Sequence, residues 1–250
     1  MKWLILPVIV CFLALQSNAQ DVAYLVSQGK ELEKQMKDAD AMLKYLEALK
    51  LAPNDVPALC GASDMYCILG NRKTDKKKKV EYFNAARTYA ATALKQSPSN
   101  ADANYSMAVA MGRMALISSG KEKVQHVREI KKYCDAALAV NPNHIRATHV
   151  MGKWHFEVST LNFAEKAALK VIYGGLPPAS LAEAIKYFEK ARSQDASFVL
   201  NYLELAKAYK ENGQSDKAIE VLNRMQKLPP KTADDPSYKA QGKKMLDSLL

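Results

Sequence analysis

The sequence predicts an all-α fold: a right-handed solenoid of about five helical hairpins closed by a C-terminal capping helix. Two observations predict it. A stripe of small and apolar residues with successive gaps of 4, 3 and 5 recurs five times, as Ala41-Tyr45-Ala48-Pro53, Ala86-Ala90-Ala93-Pro98, Ile130-Cys134-Ala137-Pro142, Ala184-Phe188-Ala191-Ala196 and Ala218-Leu222-Met225-Pro230. Gaps of 4 and 3 place side chains on one helix face, and small residues there let a paired helix approach closely. The second observation is the punctuation. The residue five places on is proline in four of the five copies, and proline cannot continue the hydrogen-bond ladder, so each helix stops there and the next hairpin begins.

The elements follow in order. The hairpins span about 22–54, 56–99, 101–143, 145–197 and 199–231, and the capping helix covers 235–250, all in one domain of residues 20–250. First helices are expected near 22–35, 56–69, 101–116, 145–157 and 199–211. Gly29, Gly152 and Ala206 supply small residues at the crossing points. The segment 209–222 is the plainest helix-turn-helix, with Asn212-Gly213 as the turn and Ser215 as an N-cap. Three hairpins carry extra residues. The stretch 71–82 reads as a charged turn or lengthened helix end, and 118–128 carries Gly120, Lys121 and Lys123. The stretch 158–180 is apolar, with Leu161, Phe163, Ala167, Val171, Ile172 and Tyr173. It stops at Gly174-Gly175 and Pro177-Pro178, so it reads as an added helix and a loop. The plainer expectation is that this helix packs on the solenoid. Two departures stand in the stripes: Ala196 replaces the proline, and Ile130 is bulky where alanine recurs.

Ala206, Ala218, Leu222, Met225 and Pro230 repeat the spacing of Gly29, Ala41, Tyr45, Ala48 and Pro53. A helical hairpin of about 34 residues is the tetratricopeptide period. Over 145–230 the chain also resembles the regulator of microtubule dynamics family, through Gly152-x-Trp154, Glu157-Val158, Pro177-Pro178, Glu183-Ala184, Phe188 and Asn201-Tyr202. The resemblance is looser over 22–142. It implies tetratricopeptide-like repeats and no catalytic residues. It also implies family links to microtubules, to contacts between organelle membranes and to phospholipid.

Residues 1–19 read as a cleaved secretory signal peptide: Lys2, the apolar run Trp3–Leu15, then Ser17-Asn18-Ala19. This predicts an exported protein, periplasmic or extracellular, with no membrane span after cleavage. The net charge of +10 suits an acidic partner or a plain lysine-rich surface. Of the remaining cysteines, Cys60 and Cys67 lie roughly 10 Å apart along one helix, too far for a disulfide. Buried free thiols are expected, with a bridge from Cys134 to either left open.

No nucleophile–base pair, phosphate loop or metal-ligand spacing occurs, and His126, His144, His149 and His155 form no ligand motif. The chain therefore reads as a non-enzymatic binding scaffold with no cofactor and no metal. First helices line the concave face of such repeats. That face should carry Tyr105, Arg113, Arg146, His149, Lys153, Phe156, Lys207 and Lys210, a basic groove with aromatic neighbours. Its expected occupant is a protein or peptide segment bearing carboxylates. The alternative is a lipid or other apolar small ligand, suggested by the apolar stretch 158–180. Nucleic acid is not expected, since no nucleic-acid-binding fold is recognisable.

Overall fold

The structure is a computed structural model that describes the backbone of residues 5–250 and the side chains of residues 20–250. The predicted signal peptide, 1–19, lies outside the fully described residues. Every element among the described residues is helical, in two compact units, Met1–Pro98 and Ser99–Leu250.

The first unit holds α1 (Ile5–Lys34), α2 (Asp38–Leu51), α3 (Val56–Asn71) and α4 (Lys76–Gln96). They pack as two hairpins, α1 on α2 and α3 on α4, with α2 seated on α3. Tyr45 is the hub. A Cβ on Gly29 would lie 2.7 Å from its ring and one on Gly61 2.6 Å, so glycine on both neighbouring helices is what admits the ring. The Tyr45 hydroxyl then reaches out to donate to Glu33.

The second unit holds α5 (Ala101–Ile117), α6 (Gly120–Val140), α7 (Ile145–Ser159), α8 (Phe163–Tyr173), α9 (Leu181–Gln194), α10 (Val199–Glu211), α11 (Ser215–Gln226) and α12 (Asp235–Asp247). Its hairpins are α5–α6, α7–α9 and α10–α11. The helix α12 packs on α10 and α11 as the expected cap, with Leu246 buried and Gly242 admitting the Met225 thioether.

The stripes are buried as the spacing demands. The first three residues of every stripe, the half-buried Ile130 excepted, are inaccessible or nearly so, while the residue five places on is exposed in all five copies. The helix ends repeat as well: the cap N–H after α2, α4, α6 and α9 donates to the carbonyl of Ala48, Ala93, Ala137 and Ala191, the third residue of each stripe. Ala196 replaces proline at no visible cost, because the Tyr202 hydroxyl donates to the Ala196 carbonyl at 3.0 Å and holds that turn.

Two extra stretches lengthen helices rather than loops: α4 and α6 each run 21 residues. Ser215 is the first helical residue of α11 and caps nothing; the cap position is Gln214, and Gly213 makes the turn at φ 71°. Cys60, Cys67 and Cys134 are buried thiols, and burial pushes the Cys134 thiol far above its ordinary range.

The third extra stretch departs from expectation. It forms a helix, α8, yet no residue of α8 is buried, and Phe163, Val171 and Ile172 are exposed by 88%, 86% and 64%. The helix stands on its own ends. Asn162 and Glu165 form a reciprocal capping box, and Gly174, left-handed at φ 74°, closes the C-terminus with N–H bonds from Gly174 and Gly175 to Lys170 and Leu169. Arg128 on α6 then clamps the following turn, donating to the carbonyls of Tyr173 and Gly175.

Candidate interaction site

The first helices of the second unit, α5, α7 and α10, bring the predicted groove residues into two clusters. The first joins α5 to α7. The Arg146 guanidinium lies 4.6 Å from the centre of the Tyr105 ring, a cation–π distance. His144, the N-cap of α7, packs on the same ring at 5.0 Å. Its Nδ1 accepts the Ala147 N–H at 3.0 Å, which leaves Nε2 to donate to Asp102 at 3.0 Å.

The second cluster joins α7 to α10 through a residue the sequence reading did not single out. Glu204 has a side chain only 6% exposed, and its two oxygens accept from Lys153 at 2.7 Å and Lys207 at 2.8 Å. Burial alone would raise the Glu204 pKa, but the two ammonium groups outweigh it and hold the carboxyl below the usual range. Lys153 shows the mirror image. Burial opposes its charge, while Glu204 and the exposed Glu157, at 2.7 Å, outweigh burial and raise its pKa. The Lys153 ammonium also stands 5.5 Å from the Phe156 ring, which packs against the α10 core.

The remaining groove residues fall differently. His149 is buried between Phe188 and Phe198, its Nδ1 2.9 Å from Asn201 Oδ1. Asn201 Nδ2 donates to the Phe188 carbonyl, so its oxygen accepts and His149 Nδ1 donates. Burial lowers the His149 pKa. This histidine joins α7 to α10 from within. Arg113 is half-buried, and its Nε has no hydrogen-bond partner among the described residues. Lys210 is exposed at the end of α10. The groove is thus less basic than its lysines suggested, because Glu204 and Glu157 already answer Lys153 and Lys207. Glu204 precedes Lys207 by three residues, a helical ion-pair spacing, and that was the available signal. Among the described residues no group of three potential ligands could hold a metal, and no helix is long and apolar enough to cross a membrane.

Paired helices meeting on small-residue stripes, stacked hairpin on hairpin with a polar-faced terminal helix, define a tetratricopeptide-like repeat protein. Solved structures carry the same fold: a thermophilic tetratricopeptide-repeat protein of Thermus thermophilus (TM-score 0.64, 16% identity, covering 88% of this chain and 98% of that one). A second is a tetratricopeptide repeat protein of Parabacteroides merdae (TM-score 0.52, 17% identity, covering 91% and 74%). Residues 25–250 match the family model "Regulator of microtubule dynamics protein 1-3", and the chain belongs to that family. Regulator of microtubule dynamics protein 2 of Macaca fascicularis is 26% identical over 187 residues, covering 74% of this chain and 45% of that protein. Regulator of microtubule dynamics protein 1 of Bos taurus is 26% identical over 223 residues, covering 89% and 64%. The chain spans about half the length of the first of these, 45%.

The relatives correct one expectation. Their name ties them to microtubules, polymers of the eukaryotic cell interior, which contradicts a periplasmic or extracellular protein. The expectation rested on the positive start, apolar run and small-residue site of residues 1–19, which lie outside the fully described residues.

Proposed function

We propose that this protein is a non-enzymatic interaction scaffold, and that the α5–α7–α10 face of its second unit takes a protein or peptide segment bearing carboxylates. One observation carries the reading. A single buried carboxylate, Glu204, holds the Lys153 and Lys207 ammonium groups in place, each still about a third exposed. Two cations on one anion leave a positive charge at a fixed position. The exposed Glu157 balances that charge from the solvent side, and a ligand carboxylate would displace it and take over its position on Lys153. Phe156 beside it, and the Arg146–Tyr105 pair one helix away, supply apolar and cationic neighbours for the rest of the segment. The relatives' name makes a microtubule-associated protein one source of such a segment.

The test is binding of a short peptide of glutamates around one aromatic residue, and of its glutamine counterpart, followed by fluorescence anisotropy at two salt concentrations. The glutamate peptide should bind more tightly, and the gap should shrink with salt as the charges are screened. Equal binding of the two peptides would rule the reading out. The apolar-ligand alternative has less support. The cleft beside α8, lined by Val124, Ile172 and Tyr173, is an open space of about 280 Å³, at the bottom of the range for small-molecule sites.

A further inference from the structure

The exposed face of α8 has a recognisable pattern. Ala164, Ala168 and Val171 follow one another at gaps of 4 and 3, the spacing of Ala86, Ala90 and Ala93. In α4 that stripe is fully buried, because α3 lies on it. In α8 the three residues are exposed, and so is Phe163 at the edge of the same face. At about 100° per residue, Phe163, Ala164, Ala167, Ala168, Val171 and Ile172 share one half of the helix. α8 packs only against α6 among the described helices. The chain thus carries a repeat-type packing stripe that no described helix covers. The caps and the Arg128 clamp hold the helix in place without it.

We infer that this face seats an amphipathic α-helix of a protein partner, one with small and apolar residues on its contact face and carboxylates along the edge that meets Lys166 and Lys170. The surface is separate from the α5–α7–α10 groove and independent of that reading. Charge and size favour this occupant over others. Lys166 and Lys170 border the face on the Phe163 side, whereas on the Ile172 side Lys121 of α6 borders the cleft next to the capping Glu165, so the Phe163 edge is the cationic one. An antiparallel pairing of two copies of α8 would set the Lys166–Lys170 edge against itself. A bilayer surface is better served by bulky side chains, and three of the six residues on this face are alanines. Alanines give little apolar area but allow close helix–helix approach, the same advantage they give inside the repeats.

The experiment uses the full chain and two synthetic helical peptides of about 18 residues, long enough to hold a helix with capping. Both carry alanine and leucine at gaps of 4 and 3. One has glutamates along one edge of that stripe and the other lysines. The wild-type chain should bind the glutamate-edged helix, and Ala168→Arg should weaken that binding by about tenfold or more by filling the seat. The lysine-edged helix should bind at least about tenfold more weakly than the glutamate-edged one. Val171→Glu serves as a second variant. Both substitutions are at exposed positions, so circular dichroism and the thermal transition should match wild type. The inference is overturned if the wild type binds neither helix, if it binds both alike, or if both variants bind as wild type does. It is also overturned if α8 proves to serve another occupant. Sedimentation showing a dimer that Ala168→Arg abolishes would assign the face to a second copy. Flotation with phosphatidylserine–phosphatidylcholine vesicles that Ala168→Arg abolishes would assign it to a bilayer.

Discussion

Replacing Glu204 by glutamine keeps the shape of the side chain and removes its charge, so it measures what the carboxylate contributes to the α7–α10 joint. The wild-type residue accepts from two ammonium groups at 2.7 and 2.8 Å in a position 6% exposed. Breaking a fully buried pair costs about 3–5 kcal/mol. Here both lysines are about a third exposed and can turn to water, Lys153 keeps Glu157, and glutamine still accepts one hydrogen bond. Those offsets bring the expected loss to about 2 kcal/mol. In a chain of this size that lowers the melting temperature by about 4–8 °C. The pH dependence is more diagnostic than the magnitude. Glu204 has a depressed folded pKa, so its contribution is present above the unfolded value of about 4.3 and is lost as pH falls through the lower folded value. Lys153 has a raised folded pKa, so its contribution is present below about 10.4 and is lost as pH rises through the folded value. The gap between wild type and Glu204→Gln should therefore be widest between about pH 5 and 10 and close on both sides. Thermal unfolding followed by circular dichroism across that range gives the curve. A variant as stable as wild type at neutral pH, or a gap that does not change with pH, would refute the ion-pair account.

Two further outcomes follow from the packing. Gly152→Ala should destabilise by about 1–3 kcal/mol although alanine is the better helix former by about 1 kcal/mol, because its Cβ would sit 2.8 Å from the fully buried Phe188 ring; a rise in melting temperature would show that the ring can move aside. His149 should stay neutral to below its ordinary value of about 6.5, since burial outweighs its bond to Asn201; an NMR titration that protonates it at or above that pH would contradict its placement.

The recurring 4-3-5 stripe made the repeats legible, because spacing alone decides which helix face is buried, and residues as different as Tyr45, Cys134 and Leu222 obey it. The paired helices of the hairpins could be read from the same signal, and the terminal α12 from its own amphipathic residues Tyr238, Met245, Leu246 and Leu249. What could not be read depends on partners far apart in sequence. Glu204 meets Lys153 across 51 residues and His149 meets Asn201 across 52, so nothing local distinguishes a satisfied lysine or a core histidine from a groove contact. The extra helix was visible in the apolar run at 158–180, but not its exposure. Apolar composition predicts burial only when another surface lies within reach, and α8 is held by local caps and by Arg128 instead. The periplasmic or extracellular expectation failed for a related reason: it rested on residues 1–19, while the family signal lies in residues 25–250.

The most direct test of the groove is a pair of substitutions with opposite expected signs. Glu157→Gln releases Lys153 from an exposed competitor, and Lys207→Gln removes one of the two fixed cations. With the glutamate peptide as probe, Glu157→Gln should tighten binding a few-fold and Lys207→Gln should weaken it by about tenfold at low salt. Glu157→Gln should unfold close to wild type, and Lys207→Gln should stay folded with a lower melting temperature, since Glu204 keeps Lys153 as its partner. If the two substitutions shift the affinity in the same direction, or leave it unchanged, the carboxylate-binding groove is not where the α7–α10 lysines stand.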